Sequence, residues 1–375
     1  YNIFFYPPPK VETKLVLKDA IWDLRKNAVP ALEKNKTNPK VKFPNHEYMI
    51  GGFSSMYMSR NRVRRWDQPS FTIQAGGRHA PCHPQAPTME LVAKDVRKFI
   101  ESFSGKTKLP DTEKVDSRDH SLINENKTIR VREYFLKDGM KSERAIMYIH
   151  GGGWSVCSID THDQLCRFIC TSLKMKIFSV DYRLAPENKY PLPLNDCSYA
   201  WNWLCTNAKK LNISAQYLSI AGDSAGGHLA TTLCHKLINE KYQNLPHSQL
   251  LICPVIEPLS NNLSYEKFKE GYYLTKKAMD WFSENYIPKD HNRKDYYLWP
   301  LKAFEWEKMP ATLIVSSGFD VLRDEAQDYF HKLKKEGVRV IHKFYENSIH
   351  DFPMFSYLPK PRKYTLELLN IFKSL

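Results

Sequence analysis

The run Tyr217-Leu-Ser-Ile-Ala221-Gly222-Asp223-Ser224-Ala225-Gly226-Gly227-His228-Leu229-Ala230 decides the fold. Its first five residues form an apolar stretch of strand composition, and the residues from Ala225 onward take up a helical pattern. Between them lies Gly222-Asp223-Ser224-Ala225-Gly226. A Gly-x-Ser-x-Gly turn set between a strand and a helix forces the serine into a strained, exposed position, and the flanking glycines are needed because side chains there would collide. The five-residue pattern alone is weak, and its setting gives it weight. Ser224 is therefore the candidate nucleophile, with Gly222, Asp223 and Gly226 as supports of the turn.

Upstream, the apolar run Ile146-Met-Tyr-Ile149 ends in His150-Gly151-Gly152-Gly153-Trp154. Consecutive glycines after a strand leave backbone N–H groups bare, ready to hold the oxyanion of a tetrahedral intermediate. A serine nucleophile also needs an acid and a histidine, expected downstream in the order Ser, Asp, His. Asp320 follows the run Ala311–Ser317 in Gly318-Phe319-Asp320, and His350 follows the last strand candidate in Ser348-Ile349-His350-Asp351. Asp324 and Glu325 fall in a helical first turn, where carboxylates serve the helix dipole. His342 alternates within a strand, and His331 and His291 read as surface residues.

From residue 128 on, strand candidates alternate with helical patterns. The strands are Thr128–Leu136, Ala145–His150, Lys176–Tyr182, Tyr217–Ala221, Gln249–Pro254, Thr312–Ser317 and Val338–Tyr345. Helical patterns lie near 161–173, 193–206, 225–239, 275–286, 323–336 and 361–374, and an earlier apolar stripe spans Met89–Phe103. The polar stretch Gly105–Lys127 reads as loop. Alternation with near-continuous apolar strands predicts an α/β architecture, a mostly parallel sheet covered on both faces.

His150–Trp154, Asp181-Tyr-Arg-Leu-Ala-Pro-Glu187, Gly222–Gly227 and the segments around Asp320 and His350, in this order, resemble the hormone-sensitive-lipase family of esterases, which includes arylacetamide deacetylase. The resemblance spans roughly residues 90–375. It implies an α/β-hydrolase fold, a helical cap from about 90–125 and 255–295, and oxyanion donors at the N–H groups of Gly152, Gly153 and Ala225. It also implies hydrolysis of short to medium acyl esters, with amides as a further class, and no metal or organic cofactor. Two positions depart from the family pattern: Val321 stands where Pro is usual, and Asp351 where Gly is usual. Asp351 places an extra carboxylate beside the base, which is expected to raise the pKa of His350.

The chain has 375 residues, 42% of them hydrophobic, and a net charge of +14. Residues 1–89 hold 14 Lys and Arg against 6 Asp and Glu, a net +8, which leaves +6 for the other 286 residues. Such asymmetry suggests an anionic partner for the front end. Arg60, Arg62, Arg64, Arg65 and Arg78 lie there among Asn, Gln, Ser, Thr and Trp, residue types that contact phosphates and base edges. Asn45–Phe53 and Met58–Pro87 resemble the target-recognition region of bacterial cytosine-5 DNA methyltransferases. That family's Gly-rich cofactor segment is absent, and Pro81-Cys82 lies inside the recognition stretch, so methyl transfer is not expected. Residues 1–89 are thus expected to form a small irregular β-rich segment with weak DNA binding, joined near Met89 as a fusion or an assembly remnant. The opening Tyr1–Pro9 has no initiator Met, no basic n-region and no cleavage site, and reads as the interior of a longer frame rather than a signal peptide.

No apolar run is long enough to span a membrane. The eight cysteines show no CxxC spacing, which favours reduced thiols and a cytoplasmic protein. Two alternatives stand beside the esterase reading: a DNA-binding module attached to a hydrolase, and a non-catalytic ligand receptor on a hydrolase fold. The intact set Ser224, Asp320 and His350 weighs against the receptor.

Overall fold

The computed structural model describes residues 93–375, apart from 103, 105, 106, 125, 126 and 293, together with two short strands in the front segment. The chain divides into two units, Tyr1–Leu91 and Val92–Leu375. In the first, Val29–Pro30 pairs in parallel with Glu47–Tyr48. Arg60, Arg62, Arg64, Arg65 and Arg78 lie outside the described residues.

The second unit is built on an eight-stranded sheet. Its strands are β1 (Val115–Asn124), β2 (Lys127–Leu136), β3 (Ala145–Ile149), β4 (Lys176–Asp181), β5 (Leu218–Asp223), β6 (Ser248–Ile252), β7 (Ala311–Phe319) and β8 (Val340–Ile349). Across the sheet they run β8-β7-β6-β5-β3-β4-β2-β1. All neighbours from β4 to β8 are parallel, β2 is antiparallel to β4, and β1 is antiparallel to β2. The expected mostly parallel α/β-hydrolase sheet is therefore present.

Side-chain alternation in β3 shows how both faces are filled. Ala145, Met147 and Ile149 join one buried cluster, and Ile146 and Tyr148 join the other. The first cluster is covered by α3 (Leu192–Thr206), α4 (Ala225–Asn239) and α7 (Arg323–Lys335) through Trp201, Leu229, Leu233, Tyr329 and Leu333. The second is covered by α2 (Asp163–Leu173) and α8 (Pro359–Lys373) through Leu165, Ile169, Leu368 and Phe372. A strand buried on both faces must be apolar throughout, which is why these strands read as continuous runs.

One strand escaped the sequence reading. Val115–Asn124, within the stretch read as loop and assigned to the cap, is the edge strand β1. Of its described side chains only Val115 and Leu122 are buried, so it carries no hydrophobic alternation. Charge pairing holds it instead. Arg118 lies opposite Glu133 and Asp119 opposite Arg132 in the β1–β2 register, with Arg132 Nε donating to Asp119 at 2.6 Å. The buried Glu133 also receives Lys176 Nζ of β4 at 2.8 Å.

The helical cover comes from two places. Ahead of the sheet, α1 (Ala93–Glu101) is pinned by Arg97, which donates to the carbonyls of Ser155 and Ala185 and pairs with Glu187 at 2.7 Å. Between β6 and β7 the insertion carries α5 (Leu263–Lys267) and α6 (Lys276–Tyr286). Tyr286 stacks on Trp154 with ring centroids 4.4 Å apart, and Lys189 Nζ donates to the carbonyls of Glu284 and Asn285 at the end of α6. Asp324 and Glu325 do more than favour a helix dipole. Asp324 accepts from the Ser264 N–H at 2.8 Å, and the buried Glu325 accepts from the Ile256 N–H at 2.7 Å, so both hold the insertion.

Candidate active site

The chain runs from β3 to β4 on one side of the sheet, then crosses to β5 on the other. The carboxyl ends of β3 and β5 are therefore neighbours at the point where strand order reverses, the usual crevice for a ligand in an open α/β sheet. Ser224 leaves β5 there, and His150–Gly153 leaves β3.

Ser224 adopts φ 52° and ψ −121°, a conformation side chains rarely take and one that costs about 1–3 kcal/mol. Its surroundings compensate. The Ser224 N–H donates to the Ile252 carbonyl at 2.8 Å, and its carbonyl accepts from the N–H groups of Val255 and His228 at 3.1 Å each. The turn is tight because a Cβ at Gly222 would run into the Gly226 carbonyl, and one at Gly226 into the Ile149 carbonyl.

The three residues expected to act together do meet. Ser224 Oγ lies 3.0 Å from His350 Nε2, and His350 Nδ1 lies 2.8 Å from Asp320 Oδ2. Asp320 Oδ1 accepts from the Leu322 N–H at 3.0 Å, which fixes the carboxylate. All three residues are buried. Burial alone would lower the pKa of His350, but the carboxylates of Asp320 and then Asp351 outweigh it and hold the imidazole well above its ordinary value. Once the ring is neutral, with its one proton on Nδ1 directed at Asp320, Nε2 can take the hydroxyl proton of Ser224, so the raised pKa sets the acid limit of the reaction. His342 pairs instead with Ser316 Oγ on the neighbouring strand, at 2.7 Å.

Gly152 and Gly153 both sit at positive φ, 106° and 55°, which suits glycine. A Cβ at Gly153 would fall inside the Phe282 ring of α6, so the insertion packs directly on this loop. Ala225 opens α4, and its N–H is among the four at a helix start that lack a partner within the helix. His150 is buried and stacks on Tyr182 at 4.3 Å, its Nδ1 lies 2.7 Å from the Gly151 carbonyl, and burial pushes its pKa down to about 3.

Asp223 has a larger role than its place in the turn suggests. Its carboxylate accepts from Tyr148 Oη at 2.6 Å and from the Gly151 N–H at 3.0 Å, and lies 3.2 Å from His162 Nε2. It thereby ties the nucleophile turn to the glycine loop. Tyr148 and His162 are functional supports that the sequence reading missed, because nothing local marks them. Replacing Asp223 by Asn should lower kcat about tenfold to a hundredfold, because the loop then shifts relative to the nucleophile. Steady-state kinetics with a small ester, beside an unchanged circular dichroism spectrum, check this. A kcat within twofold of the parent would show the tie to be dispensable.

Two further groups border the site. Asp351, at φ 50°, places Oδ2 3.2 Å from His350 Nε2. Burial raises its pKa to about 6, against the pull of His350. Cys253, Asp320 and His350 offer ligand atoms within 4.8 Å of one another, so a soft cation held there would occupy the triad itself.

A fold and site of this kind define a hydrolase class, and the chain belongs to it: the family profile for the alpha/beta hydrolase fold matches residues 146–354. The chain is similar to the ethyl acetate hydrolase of Pseudomonas putida, 32% identical over 273 residues, which covers 71% of this chain and 85% of that protein. It is similar in structure to a thermostable esterase from Pseudomonas putida, with a TM-score of 0.70, 28% identity and coverage of 74% and 88% of the two chains. A different part is similar to the type II methyltransferase M.MthTI of Methanothermobacter thermautotrophicus, 60% identical over 100 residues. That match covers 26% of this chain and only 29% of the methyltransferase.

Proposed function

We propose that the chain is a serine carboxylesterase that cleaves short to medium acyl esters through an acyl-Ser224 intermediate. The observation that carries this reading is the continuous line Ser224 Oγ, His350 Nε2, His350 Nδ1, Asp320 Oδ2, with steps of 3.0 and 2.8 Å. His350 takes the proton as Oγ attacks the acyl carbonyl, and Asp320 orients the ring and stabilises its cation. The N–H groups of Gly152, Gly153 and Ala225 receive the developing oxyanion. His350 then hands the proton to the leaving alcohol, and water repeats the sequence to release the acid. Ester names among the relatives, and the hydrolase fold from Val92 on, support the substrate class. No helix among the described residues is long and apolar enough to cross a membrane. The cysteines among them are free thiols, which fits a reducing, cytoplasmic setting.

The test is pre-steady-state turnover of p-nitrophenyl acetate, then of longer acyl chains. An initial burst of nitrophenol close to one equivalent, and covalent labelling of Ser224 by a fluorophosphonate, are expected. Labelling elsewhere, or none, would remove Ser224 from its role.

The methyltransferase likeness favours a second, separate reading for residues 1–89, joined to the hydrolase at 90–375. This segment is a recognition fragment that binds DNA weakly through its basic charge, and Arg60, Arg62, Arg64, Arg65 and Arg78 are the contacts to test. Binding of the full chain to a duplex should fall steeply as salt rises, since phosphate contacts release counterions. Salt-insensitive binding to one short site would instead show that contacts to base edges, and not to phosphates, supply most of the affinity.

A further inference from the structure

Asp351 is the one carboxylate of the site that the ester mechanism does not use. Its Oδ2 shares His350 Nε2 with the nucleophile, at 3.2 Å against 3.0 Å for Ser224 Oγ. Its Oδ1 has no hydrogen-bond partner among the described residues, and the side chain keeps a small opening to solvent. A desolvated acceptor without a donor is costly, so a ligand that brings a donor there binds more favourably.

The position of Oδ2 says which half of the substrate that ligand group belongs to. Nε2 is the nitrogen that returns the proton to the leaving oxygen, so an atom in hydrogen-bond range of Nε2 borders the alcohol side. A protonated amine on the alcohol side is the substrate group that such a carboxylate would meet. The turn that follows Asp351 adds an aromatic pair. Tyr273, at φ 73°, packs edge-on against Phe355 with centroids 5.3 Å apart. More than half of the Tyr273 surface meets solvent. A carboxylate whose following turn carries aromatic rings is suited to a cation.

We infer that Asp351 is a specificity-determining residue that selects acyl esters of amino alcohols, meeting a protonated amine on the leaving group. This inference rests on the esterase reading and narrows it. The left-handed backbone at this position is open to Asn and to Gly as well as to Asp, so both substitutions keep the turn.

The experiment compares 2-(dimethylamino)ethyl acetate with 3-methylbutyl acetate, its neutral carbon isostere, at about pH 7, using the full chain and its Asp351→Asn and Asp351→Gly forms. The cation-to-neutral ratio of kcat/KM should be about tenfold higher in the parent than in either variant, the size of a single well-placed charge contact. Taking the ratio cancels any general loss of activity, so a merely structural role would leave it unmoved. A ratio unchanged within about twofold in both variants overturns the inference, whatever happens to the individual rates. The esterase reading is tested apart from this: parent protein that hydrolyses p-nitrophenyl acetate but shows no change in ratio loses only the role of Asp351, whereas parent protein that hydrolyses none of the three esters loses both. A second readout follows the base. Removing a carboxylate that holds His350 protonated should move the acid limb of the p-nitrophenyl acetate profile to lower pH in both variants.

Discussion

Replacing Ser224 by Ala should abolish ester turnover, lowering kcat by about 10⁴ to 10⁶ while the protein stays folded. The change removes one oxygen and leaves His350, Asp320 and the glycine loop in place. Folding is expected to survive because the backbone bonds of residue 224, to Ile252, Val255 and His228, do not involve the side chain. The measurement is kcat for p-nitrophenyl acetate beside a thermal melt. More than about a tenth of the parental rate in a folded variant would sink the assignment. Losses should not add when His350 is also replaced, because the two side chains act on one proton.

Asp320→Asn should cost about 10⁴ in kcat with little change in KM. In the neutral ring the carboxylate accepts from Nδ1, which leaves Nε2 as a lone pair facing Ser224. An amide can turn its NH2 toward Nδ1 and force the proton onto Nε2, where it blocks proton removal from the serine. Asp351 makes this failure deeper here, because its Oδ2, 3.2 Å from Nε2, welcomes a proton at that nitrogen. Raising the pH should therefore not restore the variant. A loss of less than tenfold would mean that another acid orients the ring.

The sheet from β3 to β7 was legible because each strand carries an apolar run and each helix its own period, whereas β8 mixes apolar with polar residues. The nucleophile turn and the triad were legible for a different reason: their glycines and acids sit at strand ends, where few residue types fit. Edge strand β1 was not legible, since Arg118, Asp119 and His120 find their partners only across the ladder on Glu133 and Arg132. The support of Asp223 was hidden in the same way, because Tyr148 and His162 lie 75 and 61 residues away along the chain. Asp351 was visible in the sequence as an extra charge beside the base. That its Oδ2 would share Nε2 with the nucleophile depends on a left-handed backbone at residue 351, which composition does not announce. Asp324 and Glu325 were read by their place in a helix, but their partners belong to the inserted segment and not to that helix.

The bond from Gly151 to the Asp223 carboxylate ties the turn that carries Ser224 to the glycine loop, the two parts to which the proposed mechanism gives the attacking oxygen and the oxyanion donors. These two halves of the chemistry travel as one block, anchored in adjacent strands, and a change that retunes one disturbs the other. The side chains around the block are less restrained: Tyr273 comes from the insertion between β6 and β7 and makes no part of that bond, whereas Phe282 of the same insertion packs on Gly153. Variation that alters which esters are accepted should therefore accumulate in the inserted segment and at residue 351, while residues 148–153 and 222–226 stay closed to change.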